Sequence, residues 1–118
     1  MNKNWPVITT EMSAAVKELR AGAPNVMKEF SALARAALEP KALDSKTKEL
    51  IALAISVAVR CDPCIAFHAQ SAVKQGATRD EVMEAMGMAV YMGAGPSVMY
   101  AAQAVEAYDQ FKVPATVE

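Results

Sequence analysis

Cys61, Cys64 and His68 are the residues of this 118-residue chain whose types and spacing can do chemistry. They are its two cysteines and its single histidine, and all fall within the stretch Cys61-Asp62-Pro63-Cys64-Ile65-Ala66-Phe67-His68. Two thiols separated by two residues can close a small disulfide ring and reopen it, so the pair can carry two electrons. If a helix opens near Asp62, both sulfurs lie in its first turn. Unpaired N–H groups and the positive end of the helix dipole there favour thiolate over thiol. Arg60 adds to this if its side chain turns inward. His68 follows Cys64 by four residues, so its imidazole shares the same face and leans toward the N-terminus. It can accept a proton from a cysteine and return it.

Plainer readings compete. The cysteines can be inert core residues, the histidine a satisfied core side chain, and Asp62 a helix cap and nothing more. Zinc needs a fourth ligand, for which only Glu49 or Asp62 is near in sequence. Covalent haem attachment does not fit, because Ile65 rather than histidine follows Cys64. The balance favours redox chemistry with no cofactor and no metal.

The elements that must position these residues are all helical. Thr9 or Thr10 caps a first helix to about Arg20, carrying Met12, Val16 and Leu19 on one face and stopped by Gly22. Pro24 opens a second, in which Val26, Phe30, Leu33 and Ala37 recur at helical spacing until Pro40. Asp44 caps a third, to about Arg60. From Leu50 to Val59 it is apolar all round apart from Ser56, so it has to be covered on every side and calls for partner subunits. Pro63 belongs in the first turn of a fourth helix, which runs to Gln75 and ends at Gly76. Thr78-x-x-Glu81 is a capping box for a fifth, to about Met92. Gly93-Ala94-Gly95-Pro96 reads as a tight connector before a last helix from Ser97 to about Phe111, with a loose tail from Val113. The expectation is therefore an all-α chain, one compact domain of about six helices over residues 1–118, with the CxxC at the N-terminus of a central helix.

Composition narrows the partners. The chain is 53% hydrophobic and 21% charged, as a folded domain should be, and only 6% aromatic. Its core must therefore be built from aliphatic residues and the eight methionines. Met83, Met86, Met88, Met92 and Met99 can line a pocket or serve as adaptable filler. Tyr91 and Tyr100 read as half-buried packing residues with bonded hydroxyls. A formal net charge of -1 without a basic cluster argues against nucleic acid or an anionic membrane surface. The start, Met1 to Thr10, lacks the apolar stretch of a signal peptide, and no apolar run is long enough to span a bilayer. A cytoplasmic protein is expected, and in that reducing compartment a CxxC pair is better read as a redox site than as a staple.

Glu49, eleven intervening residues, Cys61-x-x-Cys64, three more, then His68 resembles the signature of the AhpD-like alkylhydroperoxidases of the carboxymuconolactone decarboxylase superfamily. The likeness runs from about Leu43 to Pro96 and includes Lys48-Glu49-Leu50-Ile51-Ala52-Leu53-Ala54, Gly76-Ala77 and the turn from Gly93 to Pro96. It implies an all-helical fold assembled as a homo-oligomer, a hexamer or a trimer. It also implies reduction of a small hydroperoxide. Cys64 would be attacked by peroxide, Cys61 would resolve the sulfenic acid to a disulfide, and Glu49 and His68 would relay protons. An external dithiol would restore the pair. Unlike the best-known peroxidase members, which carry a second histidine between the cysteines, this chain has Pro63. Glu49 lies twelve residues before Cys61, about 18 Å along a continuous helix. A relay then needs helices that cross at a larger angle, a break in the third helix, or a glutamate from a neighbouring subunit. Two other functions stand beside the reductase. One is a cofactor-free decarboxylase acting on a lactone acid, whose site would want histidine and cationic groups. The other is a non-catalytic redox sensor whose disulfide changes its assembly.

Overall fold

The computed structural model describes residues 3–113, and these form five helices with no strand among them. They are α1 (Trp5–Gly22), α2 (Pro24–Leu38), α3 (Ser45–Ala58), α4 (Asp62–Lys74) and α5 (Arg79–Lys112). The tail expected to be loose lies, beyond Val113, outside the described residues.

Helices α3, α4 and α5 pack on one another and hold the core, α1 lies across α4 and α5, and α2 packs on α1. Leu53 and Val57 of α3, Ile65, Ala66, Ala69 and Ala72 of α4, and Val82, Ala104 and Ala107 of α5 are fully buried. The many alanines let the helices approach closely, and Trp5, also fully buried, fills the space beside them.

Local signals set most boundaries. Asp44 Oδ1 accepts the Thr47 N–H at 2.8 Å and opens α3. Thr78 and Glu81 exchange both bonds of the expected capping box at the start of α5. Helices α3 and α4 end alike. Arg60 N–H bonds Val57 O and Cys61 N–H bonds Ser56 O; Gly76 N–H bonds Val73 O and Ala77 N–H bonds Ala72 O. Both are the double-bonded termination in which one residue turns left-handed. That residue is Gly76 at φ 81° in α4 and, without the usual glycine, Arg60 at φ 58° in α3.

Two expectations are corrected. Helix α1 begins at Trp5 rather than after Thr9 or Thr10, because Asn4 accepts the Val7 N–H and caps it five or six residues earlier. The two threonines lie inside the helix and bond back to Pro6 O. The stretch from Gly93 to Pro96 is, as expected, where two helical segments meet: α5 is broken by a kink there, with Ala94 out of helical geometry (φ 56°, ψ −141°) and Pro96 unable to supply an N–H. Tyr91 is not half-buried but 78% exposed.

Two apolar faces stay open in the single chain. The stripe Val26, Phe30 and Leu33 of α2 is exposed, and no residue of α2 is buried. On α3, Leu53, Ser56 and Val57 face the core while Ile51 and Ile55, with Val59 just past its end, are exposed. Beside them runs a groove of about 300 Å³ lined by Leu38, Leu43, Ile51 and Ile55. Of the five methionines on α5, only Met86 is buried, so the others do not line an internal pocket.

Candidate functional site

The turn from α3 to α4 builds the site. Cys61 completes the termination of α3 through its N–H and is at the same time the N-cap of α4, its Sγ accepting the Cys64 N–H at 3.2 Å. Asp62 and Pro63 fill the first two helical positions and Cys64 the third. The two cysteines are joined as a disulfide with their Cα atoms 5.2 Å apart. The pair thus sits at the helix N-terminus, half-buried, in the first turn that its spacing predicts.

His68 follows one turn later on the face of Cys64, with about a third of its side chain exposed. Its Nδ1 lies 2.7 Å from Oε1 of Glu49, whose side chain is 9% exposed. An ionised carboxylate can only accept, so Nδ1–H donates and the neutral ring keeps its lone pair on Nε2. Burial of a carboxylate is costly without a partner, and the imidazole is that partner. The helices therefore pack so that Glu49 reaches the histidine within one chain, without a glutamate from a neighbour. Its contact is with the ring, not with a sulfur, so any relay through it is serial.

Two neighbours of the cysteines differ from expectation. Arg60 does not turn inward; it is exposed, and what it contributes is the left-handed turn before Cys61. Asp62 is not the cap, a place Cys61 takes, but is ion-paired to Lys3 Nζ at 2.5 Å. Lys3 carries no motif, and only a contact 59 residues apart in sequence reveals it. Among the described residues, no three His, Cys, Asp or Glu side chains are grouped so that they could hold a metal ion. Nor is any described helix long and apolar enough to cross a membrane.

The same fold and sequence pattern occur elsewhere. A Legionella pneumophila protein of the carboxymuconolactone decarboxylase family, known from its crystal structure, superposes with a TM-score of 0.91 at 50% identity, over 92% of this chain and 97% of that one. A family protein from Thermotoga maritima, for which a part in the antioxidative response has been suggested, matches with a TM-score of 0.79 at 31% identity, over 88% and 89% of the two chains. An uncharacterized protein of Haemophilus influenzae is 41% identical over 108 residues, which are 92% of this chain and 96% of its own. The sequence model of the family matches residues 24–107, from the start of α2 to the last turns of α5. With its helical core, its CxxC pair and these relatives, the chain belongs to the carboxymuconolactone decarboxylase family.

Proposed function

We propose that the protein is an AhpD-like, thiol-dependent hydroperoxide reductase. The observation that carries this reading is the hydrogen bond from His68 to buried Glu49, one helical turn from a cysteine pair that closes as a disulfide. In the reduced protein, His68 takes the Cys64 proton and the thiolate attacks the distal peroxide oxygen. The O–O bond breaks, the proton passes to the departing alkoxide, and Cys64 sulfenic acid and an alcohol remain. The Cys61 thiol then attacks the sulfenic sulfur and releases water as the disulfide forms. An external dithiol gives two electrons and two protons, restores both thiols and leaves as its own disulfide. Glu49 holds the ring by Nδ1 and stabilises the imidazolium formed in the first step. The antioxidative role suggested for the Thermotoga maritima relative agrees with this chemistry.

The test is a thiol count on reduced protein, with and without one equivalent of hydroperoxide, followed by mass mapping. Loss of two thiols to an intramolecular Cys61–Cys64 link is expected. Both thiols surviving an excess of peroxide would overturn the reading.

The same reading includes a closed homo-oligomer in the cytoplasm, most simply six chains. Its support is the open stripe Val26, Phe30 and Leu33 and the outward face Ile51, Ile55 and Val59. Light scattering at micromolar concentration checks it, and a stable monomer would contradict it.

A further inference from the structure

The N-terminal segment is fastened to the redox site by more contacts than a chain end needs. Lys3 Nζ donates to Asp62 Oδ2 inside the CxxC and to Gln103 Oε1 on α5. The same ammonium stands 5.4 Å from the Trp5 ring centroid. Around it, Gln110 accepts from Trp5 N–H and donates to Lys3 O, and Trp5 Nε1–H donates to Glu106. Backbone and side chain of Lys3 are thus both held, and its charge is delivered to Asp62, one of the two residues between the cysteines.

Asp62 creates the need for that charge. In the disulfide the sulfurs are neutral, but reduction places negative charge on a thiolate in the same helical turn as the Asp62 carboxylate. An unpaired carboxylate there opposes the helix dipole and disfavours the reduced form. We infer that Lys3 is a positioning residue of the redox centre: by neutralising Asp62 it sets the balance between the Cys61–Cys64 disulfide and its reduced, thiolate form. Other charged or titratable groups near this end include Arg60, exposed beside Cys61, Glu49 on α3, His68 on α4 and Glu106 on α5. Glu49 and His68 are bonded to each other and Trp5 donates to Glu106, while the cation bonded to Asp62 is Lys3. This inference rests on the proposal that the pair cycles between disulfide and dithiol.

The experiment equilibrates the full-length protein with graded ratios of reduced and oxidised dithiothreitol at pH 8. The reagent's two thiols supply the two electrons and two protons, and its own ring disulfide is the product. Lys3→Met should shift the equilibrium toward the protein disulfide about threefold to tenfold, the range for one charge acting across several ångströms at a half-exposed site. Asp62→Asn, which leaves the cation unopposed, should shift it the other way by a similar factor. The double variant should return to within about twofold of wild type, and Lys3→Arg should match it. A tenfold change corresponds to about 30 mV for this two-electron couple. Single variants that shift in the same direction, or that both stay within about twofold of wild type, would leave Lys3 a mere staple of the chain end and overturn the inference alone. A wild-type disulfide that cannot be reduced in the folded protein would overturn the redox proposal with it.

Discussion

Glu49 and His68 are 19 residues apart in the chain and 2.7 Å apart in space, on two helices joined through Cys61. The pair turns a lone histidine into an oriented one, with Nδ1–H committed to the buried carboxylate and Nε2 left for chemistry. His68→Ala should therefore slow peroxide consumption by about tenfold or more near neutral pH, the scale of general-base assistance. Glu49→Ala should slow it less, because the base remains but loses its orientation. Each change should also cost about 1–3 kcal/mol of stability, since it leaves the other partner of a half-buried hydrogen bond unpaired. Stopped-flow rates and thermal denaturation of the two variants measure both effects. Unchanged rates in His68→Ala would remove the histidine from the mechanism.

The cysteines are expected to be unequal. Cys64 shares a face with His68, whereas Cys61 Sγ is the cap that accepts the Cys64 N–H. Cys61→Ser should leave a sulfenic acid on Cys64 that a dimedone probe traps, and Cys64→Ser should abolish reaction with peroxide. A trapped sulfenic acid on Cys61 in the Cys64→Ser protein would reverse the roles.

Pro63 sits in the first turn of α4, where it supplies no N–H and no second imidazole. A nearby cationic imidazole lowers a thiol pKa, so without one the thiolate is less favoured. Slow peroxide turnover with intact disulfide exchange is the expected behaviour. Pro63→His should raise the peroxide rate at neutral pH with the helical circular dichroism unchanged. A fast wild type that the substitution slows would make Pro63 a working part of the site.

The matching ends of α3 and α4 allow a reciprocal test of backbone strain. Gly76 has open space around its Cα but a φ of 81°, so Gly76→Ala should cost about 1 kcal/mol for conformational reasons alone. Arg60 holds the equivalent position at φ 58° with a side chain attached, so Arg60→Gly should gain up to about 1 kcal/mol. Thermal midpoints of the two variants should move in opposite directions, by about 4 °C each way.

Acid should loosen the starts of α3 and α5. Hydrogen bonds from Lys46 and then the Thr78 N–H hold the Glu81 carboxyl below its usual value of 4.5, and those from Thr47 hold Asp44 below 3.8. Both are depressed carboxylates, so their stabilisation is fully present above the unfolded values and is lost as pH falls through the lower folded ones. Stability should fall below about pH 4.5. Glu81→Gln should flatten that fall in denaturant titrations across pH 2–6. An identical slope in the variant would place the acid sensitivity elsewhere.

Much of this molecule could be read without its structure, because the signals were local. A cap such as Asp44, the box formed by Thr78 and Glu81, and the stop at Gly76 each act within a few residues, and the CxxC with His68 needs only one helix to share a face. The contacts that make a site of those residues are of another kind. Lys3 meets Asp62 through the way the chain start lies against α4, and no spacing along the chain encodes that. Glu49 was legible only through the likeness of its spaced pattern to a known family, and its contact with His68 follows from how α3 lies against α4. The same holds for the apolar stripe of α2, whose period announced a helix but not which way it would face. The break at Ala94, by contrast, was legible locally: Gly93, Gly95 and Pro96 mark a connector, and there the two helical halves of α5 meet at a kink. Hydrogen bonds between near neighbours in sequence are specified by residue type; contacts between distant ones wait on how the helices cross.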